Sequence, residues 1–590
     1  MKIKKWWMFS SLVLALALSG CVRMFSHVLQ IDPGEPGVTV QKNVMVPMRD
    51  GVKLAMDIYQ PKKMSGPLPA VLTILPYGTD QGMIPKVGKL FARHGYVFLA
   101  EDCRGIESSE GKWFPLVWDY DDGHDTLDWI AKQPWFDGRL GMWGGSYFGY
   151  TQWQAAPDSN VLTAMVPLFT SPNMHKMVVN GGALEFIMVE GWLTGMEAQV
   201  QKEKLQPEFS SGFYNQPLRD STPLDIELLH TKPEMLEQDP MFLLNHPGDS
   251  EFARPTYFKP YYSHVSAPGL LVAGWFDQFL QPQLDDFVAI RGEGQADAKK
   301  SRLIVGPWTH GLPSSKFEDG KRSGVRLYVH ETFAWYERWL KGVQNGIENE
   351  APVKIFIMGE NVWRDEQEWP LARTQSTKYY LHSTGPANAR SGKGILSTQP
   401  PGSEPADQYK YDPKNPVPTK GGTFQPFTGH PAGSFDQSEM LKRDDVLLFA
   451  TEPLSQGVEV TGPISVTLYA ASSAKDTDFV AMLLDIHPDG KAMYLQDGCI
   501  RARYRNGYQK PSLIEPGQVY EYKIDLWSTS NYFQPGHRIA LEVTSSNFPQ
   551  YDRNTNAGGE GGPDNIITAD QTIYHDADHP SHVLLPVIPR

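Results

Sequence analysis

The chain has 590 residues, 41% hydrophobic and 21% charged, with 54 basic against 68 acidic side chains and a net charge of −14. A net-acidic chain lacks the basic surface that phosphate binding requires, which excludes nucleic acid as a partner, and its length exceeds one core, so two to four domains are expected. No C-x-x-C or H-E-x-x-H sequence occurs, so no short motif calls for a metal, and none calls for a cofactor.

The N-terminus reads as a targeting segment. Lys2, Lys4 and Lys5 precede an apolar run, Trp6 to Leu18, too short for a comfortable membrane span. The run ends in Leu18-Ser19-Gly20-Cys21, which resembles the bacterial lipobox. Residues 1–20 are then a lipoprotein signal peptide and Cys21 the lipidated mature N-terminus, since two or three acyl chains anchor stably. The alternative is an ordinary signal peptide cut at a small-residue site. With Val22 and not Asp after the cysteine, the resemblance implies an exported lipoprotein of the outer membrane, facing the periplasm or the cell surface. Cys103 and Cys499 lie far apart in the sequence, and their pairing is left open.

Strands and helices then alternate. Pro69–Leu75 ends at Pro76-Tyr77-Gly78, Tyr96–Ala100 ends at Glu101-Asp102-Cys103-Arg104-Gly105, and Leu140–Trp143 leads to Ser146. Asp119–Gln133 reads as a helix with acids in its first turn. Such alternation predicts a mostly parallel sheet covered on both faces, over residues 36–172. Residues 173–262 break the pattern and include a helical stretch at Leu224–Leu236, which predicts an inserted helical cap. The sheet resumes over 263–350, with Gly269–Gly274 before Trp275-Phe276-Asp277 and Arg302–Val305 before Gly306-Pro307-Trp308-Thr309-His310. An aromatic amphipathic helix, His330–Lys341, closes this part. From Val353 short β runs recur between turn residues, which predicts a β-sandwich or jelly roll over 351–590, with long surface loops at 383–435.

The chemistry gathers at strand ends. Gly144-Gly145-Ser146 between an apolar strand and a helix is the sequence form of a nucleophile elbow, although Phe148 stands where a second glycine is usual and Gly149 follows it. Ser146, Asp277 and His310 come in the order Ser, Asp, His, the chain order of α/β-hydrolases. Ser146 would be the nucleophile, His310 its base, and Asp277 the group that orients the imidazole. Each also has a plainer reading: a capping serine, a helix N-cap at Asp277, a loop histidine.

Several segments together resemble one family, that of cocaine esterase, the X-Pro dipeptidyl-peptidases and the α-amino-acid ester hydrolases. They are Met48-Arg-Asp-Gly51, Asp102-Cys-Arg-Gly105, Ser109-Glu-Gly111, Asp137-Gly-Arg139, Gly145-Ser-Tyr-Phe-Gly149, Gly274-Trp-Phe-Asp277 and Gly306-Pro-Trp-Thr-His310. The β region adds Asp476-Thr-Asp-Phe479, Arg501-Ala-Arg-Tyr504, Pro535-Gly-His-Arg538 and Ser545-Ser-Asn-Phe548. The resemblance spans nearly the whole mature chain. It implies an α/β-hydrolase domain with a helical cap and a C-terminal jelly roll, acting as a serine hydrolase on acyl esters or amides. It also implies Tyr77 and the backbone N–H of Tyr147 as oxyanion donors, and Phe279 as an aromatic wall of the acyl pocket.

In the amino-ester branch, acids lie two and three residues beyond the catalytic aspartate; here those positions are Phe279 and Leu280. An ammonium facing them would lose solvation without a counter-charge, so neutral or aromatic acyl esters are expected. Glu185, Glu190 and Glu197 are the cap's candidate amine ligands, with solvated helix positions the default for each. The alternatives are an X-Pro dipeptidyl-peptidase or α-amino-ester hydrolase, and a carbohydrate-binding surface lipoprotein with a relict hydrolase, for which Trp363 and Trp369 would be candidate glycan contacts. The expected partners are a small ester or short peptide and, through the lipid anchor, a membrane. The oligomeric state is not legible.

Overall fold

The computed structural model describes residues 31–186 apart from 36, 81 and 114, residues 261–310, and residues 323–590 apart from 389–391, 424–431, 509 and 560–564; residues 188, 192, 196 and 199 are described singly. The signal segment, Cys21, Glu190, Glu197 and Leu224–Leu236 lie outside the described residues.

The first sheet has ten strands. In chain order they are β1 (Val38–Pro47), β2 (Lys53–Pro61), β3 (Leu68–Leu75), β4 (Val97–Asp102), β5 (Phe136–Gly145) and β6 (Leu162–Leu168). A two-residue-stranded hairpin, β7 (Val179–Asn180) and β8 (Ala183–Leu184), stands apart, and the sheet continues with β9 (Leu270–Gly274), β10 (Arg302–Gly306), β11 (Val353–Ile357) and β12 (Val362–Glu366). The spatial order is β1-β2-β4-β3-β5-β6-β9-β10-β11-β12, and every pair from β4 to β11 is parallel. Interior strands such as β9 and β10 are buried along their whole length, as expected of parallel strands covered on both faces. The helices around this sheet include α1 (Ile84–Arg93), α2 (Asp119–Ile130), α3 (Tyr147–Ala155), α4 (Met174–Val178), α5 (Leu280–Glu293) and α6 (Ser323–Lys341).

The sheet does not stop where the sequence placed the domain boundary. Val353–Ile357, expected to open the β domain at 351, pairs in parallel with β10, and β12 pairs antiparallel with β11. A short apolar run carries no information about which sheet it joins. The hydrolase sheet therefore extends to Glu366.

The remainder is all-β. Its strands are β13 (Gln375–His382), β14 (Ile395–Ser397), β15 (Asp407–Tyr411), β16 (Leu447–Ala450), β17 (Val458–Ser472), β18 (Asp478–Ile486), β19 (Ala492–Arg501), β20 (Tyr520–Phe533), β21 (Arg538–Thr544), β22 (Ala569–Tyr574) and β23 (His582–Ile588). Along β17, Ile464, Val466, Leu468 and Ala470 are buried while Pro463 and Ser465 face out, the period of two that a sheet with one packed face imposes. β14 and β15 lie within the stretch expected as loops.

Several motif residues hold this frame together. Arg104 binds Asp122 through two nitrogens at 3.0 and 2.5 Å and Asp50 at 2.6 Å. Arg501 forks onto Asp478, both contacts 2.9 Å, and reaches Asp552 at 3.0 Å. Asp552 also accepts the Leu184 N–H at 2.6 Å, so the β7–β8 hairpin is fastened to the β domain. Gly181 in that hairpin has φ +57°, and a Cβ there would lie 1.8 Å from the Cys499 carbonyl oxygen. Cys103 and Cys499 are separate, buried free thiols.

Candidate active site

Ser146 lies between β5 and α3 with φ 58° and ψ −127°, a left-handed backbone that a residue with a Cβ rarely adopts. Its surroundings hold it there. The Ser146 N–H donates to the Leu168 carbonyl at 3.0 Å, and the Thr170 hydroxyl donates to the Ser146 carbonyl at 2.7 Å. Gln152, fully buried, donates to the Gly144 and Val166 carbonyls at 3.1 and 3.2 Å and accepts from the Val166 N–H at 3.0 Å, tying β5 to β6. The unusual glycine spacing has a cause: a Cβ on Gly149 would meet the Thr170 side chain at 2.2 Å. The second glycine is displaced to where α3 crosses Thr170.

The first intrahelical bonds of α3 run from the Gly149 and Tyr150 N–H groups to the Ser146 carbonyl, at 2.9 and 3.0 Å. The Tyr147 N–H thus belongs to the open first turn, at the positive end of the helix. The Tyr147 side chain points inward: its hydroxyl donates to Asp119 at 2.7 Å and accepts the Leu116 N–H at 2.9 Å.

Asp277 follows β9 and His310 follows β10. The His310 Nδ1 lies 3.1 Å from Asp277 Oδ1, which also accepts the Phe279 N–H at 3.0 Å. The helix-cap reading of Asp277 is thus partly realised, since one oxygen serves both the chain before α5 and the imidazole. Asp277 is fully buried, and its Oδ2 has no hydrogen-bond partner among the described residues. Phe279 and Phe169 set their rings 5.6 and 6.3 Å from that of His310. Phe279 is 3% exposed and Leu280 is fully buried. Both pack into the core cluster.

Tyr77 follows β3 and packs its ring 5.5 Å from Phe148. Its hydroxyl accepts the Trp192 indole N–H at 3.0 Å. Burial pushes the phenol up to about 12, against the pull of the Trp192 hydrogen bond. It is therefore protonated near neutral pH, and with its oxygen already accepting, its own proton is left to donate.

A cavity of about 590 Å³ opens beside the elbow, lined by Tyr77, Gly145, Phe148, Phe169 and Phe333 among others. That volume is in the range of small-molecule sites. Nothing local in the sequence marks Trp192, Thr170 or Gln152, whose partners Tyr77, Ser146 and Val166 lie 115, 24 and 14 residues away.

The β domain reaches the site from behind. Gln496 donates to the Trp275 carbonyl at 2.7 Å, and Ser528 donates to Gln281 at 2.7 Å, so the loop bearing Asp277 is held on both sides. Trp363 packs 5.7 Å from Trp308, and Trp369 lies 5.9 Å from Trp275, so both are spent on packing. Glu185 is not solvated: it is 4% exposed, pairs with Tyr551 through a backbone bridge, and burial raises its carboxyl well above the usual range.

A doubly covered parallel sheet that strains a serine at one strand end and sets a carboxylate-held histidine farther along the same edge is the frame of an α/β serine hydrolase. Comparison with known proteins agrees. Residues 50–312 match the X-Pro dipeptidyl-peptidase (S15 family), and residues 345–584 match the X-Pro dipeptidyl-peptidase C-terminal non-catalytic domain. The chain is 39% identical over 581 residues to cocaine esterase of Rhodococcus sp. strain MB1 Bresler, covering 94% of this chain and 99% of that one. An α-amino acid ester hydrolase superposes with a TM-score of 0.75 at 25% identity, over 93% of this chain and 96% of that one. An aminopeptidase from a marine sediment thaumarchaeon shares the fold with a TM-score of 0.78 at 24% identity, over 94% of this chain and 97% of that one. The chain belongs to the X-Pro dipeptidyl-peptidase family, and it is a serine ester hydrolase.

Proposed function

We propose that Ser146, His310 and Asp277 form the catalytic triad of an esterase for neutral acyl esters, with Tyr77 and the Tyr147 N–H as the oxyanion donors. The observation that supports it most directly is the Asp277–His310 contact of 3.1 Å at the end of adjacent strands, the carboxylate fully buried. Asp277 facing Nδ1 fixes the tautomer with the proton there, which leaves Nε2 to take the Ser146 proton as Oγ attacks the ester carbonyl. The negative charge on the tetrahedral oxygen meets the Tyr77 O–H and the Tyr147 N–H. His310 returns its proton to the departing alcohol, and water repeats the sequence on the acyl-enzyme.

Neutral acyl groups are favoured because the second and third positions beyond Asp277 hold buried Phe279 and Leu280 and no carboxylate. Phe279 then forms a wall behind His310 on the acyl side. The test is kcat/KM for a benzoyl ester, a matched α-amino ester and an X-Pro anilide. The benzoyl ester is expected to exceed the amino ester by about tenfold or more, since an uncompensated ammonium is costly to desolvate. Preference for the amino ester or the anilide would overturn the neutral-acyl reading in favour of the amino-ester or dipeptidyl branch.

The same reading includes an outer-membrane lipid anchor at Cys21, supported by Leu18-Ser-Gly-Cys21 behind a short apolar run. Cys21→Ser is expected to abolish membrane partitioning and leave ester turnover intact. Unchanged partitioning would refute it.

A further inference from the structure

At one end of the β domain, Asp485, His487 and His537 bring one carboxylate and two imidazoles together, each offering a ligand atom within 4.8 Å of the other two. None belongs to the residues assigned to catalysis. Asp485 is the penultimate residue of β18, paired with Met493 on β19 and Ile539 on β21. His487 opens the turn into β19, where its carbonyl accepts the Gly490 N–H at 2.9 Å and its N–H donates to the Lys491 carbonyl at 2.8 Å. His537 ends the turn before β21, its N–H on the Gln534 carbonyl at 3.1 Å. Two tight turns thus present the rings to one carboxylate.

The distances leave room for a shared ion beside a hydrogen bond. His537 Nδ1 is 2.8 Å from Asp485 Oδ1, a hydrogen bond. His487 Nε2 is 3.7 Å from Asp485 Oδ2, beyond hydrogen-bonding range, yet the ring lies 4.4 Å from that of His537. Ligand atoms about 2.0–2.1 Å from a tetrahedral ion stand about 3.3 Å from one another. The two separations, each to a different oxygen of the carboxylate, lie within about half an ångström of that value. The Asp485 side chain is 7% exposed, that of His537 16% and that of His487 36%, which leaves an approach from solvent on the His487 side. The nearby ammonium of Lys491 is paired with Asp489.

We propose that Asp485, His487 and His537 bind a first-row divalent cation of the zinc type, with water completing the coordination. Two imidazoles and a carboxylate suit zinc, nickel or copper and not magnesium or calcium. The ion joins the β18–β19 turn to the turn before β21 and has no part in ester cleavage. No local motif marks the cluster, because Asp485-x-His487 and His537 meet only through strand pairing.

The test uses the full chain after EDTA treatment, titrated with zinc chloride by calorimetry and with cobalt(II) by visible absorption. One zinc per chain is expected, with a rise in Tm, a tetrahedral cobalt spectrum, and weaker binding at pH 5.5 than at 7.5 as the imidazoles protonate. His487→Gln, a change at the exposed turn, is expected to weaken zinc binding by at least about tenfold, abolish the cobalt spectrum and leave ester turnover unchanged. His537→Gln should do the same, and if it fails to fold, His487→Gln decides. Undiminished binding in His487→Gln, or no saturable binding by the wild type, would overturn the proposal.

Discussion

The edge proposed as catalytic and the ion network of the β domain both bury charge, but they dispose of it differently. Arg501 is met by Asp478 and Asp552, and Asn554 adds a hydrogen bond of 2.8 Å to Asp478. At the edge proposed as catalytic, Asp277 keeps one oxygen without a partner among the described residues, the Tyr77 oxygen accepts from Trp192, and Ser146 is held in strained backbone. Saturated clusters hold elements in place. Under-partnered groups would, on the proposed mechanism, keep a capacity in reserve for a charge that arises only during reaction.

Substitution should therefore act on turnover at the edge and on stability in the network. The largest effect is expected from Ser146→Ala or His310→Ala, each lowering kcat by about 10⁴-fold or more, with the double variant no worse than either single one, because the groups act as a unit. Losses that multiply in the double variant would separate the two residues. Arg501→Met comes next. Leaving Asp478 and Asp552 without their cation should lower unfolding free energy by about 3–5 kcal/mol in urea titrations, with kcat of the folded fraction unchanged. A variant that unfolds like the wild type would show that the network carries no stability.

Tyr77→Phe tests the edge at one atom. It is expected to lower kcat by about 100-fold with little change in KM, as the proton serves only the developing oxyanion. A near-normal kcat would leave Tyr77 as packing against Phe148.

What was legible in the sequence was what the chain writes locally. The runs ending at Tyr77, Ser146, Asp277 and His310 are apolar and stop at glycine, proline or aromatic residues, so the strand ends and their order could be read directly. What could not be read depends on contacts across the fold. The Trp192 indole finds Tyr77 from a region without clear periodicity. Gln152 looks like a surface helix residue until β5 and β6 close over it. Val353–Ile357 is buried and apolar in a way that would suit either sheet, and only pairing with β10 decides. Arg104 and Arg501 stood out as motif residues, but that both hold ion networks could be seen only once their carboxylates were in place.

A pH-dependent effect, with turnover left almost unchanged, is expected where the two kinds of cluster meet. Asp119, at the start of α2, accepts the Tyr147 O–H and lies 3.8 Å from the Cys103 thiol, so it is structural in its partners yet directly behind the elbow. Burial pushes its carboxyl up to about 7, the Tyr147 hydrogen bond opposing. An acid raised on folding binds its proton more tightly in the native state. Its contribution is thus fully present below the unfolded value near 4 and is lost as pH rises through about 7. Asp119→Asn can still accept from Tyr147 but has no proton to lose. The difference in unfolding free energy between variant and wild type should therefore grow in the variant's favour from pH 4 to 7, by at most about 1.4 kcal/mol per pH unit, and level off above. Subtracting the two curves removes the titration of Asp102, which burial also raises to about 7. With the Tyr147 backbone still in place, kcat should stay near that of the wild type. A flat difference curve would mean that Asp119 is already ionised in the folded state, and a large fall in kcat would place it with the catalytic edge instead of the frame.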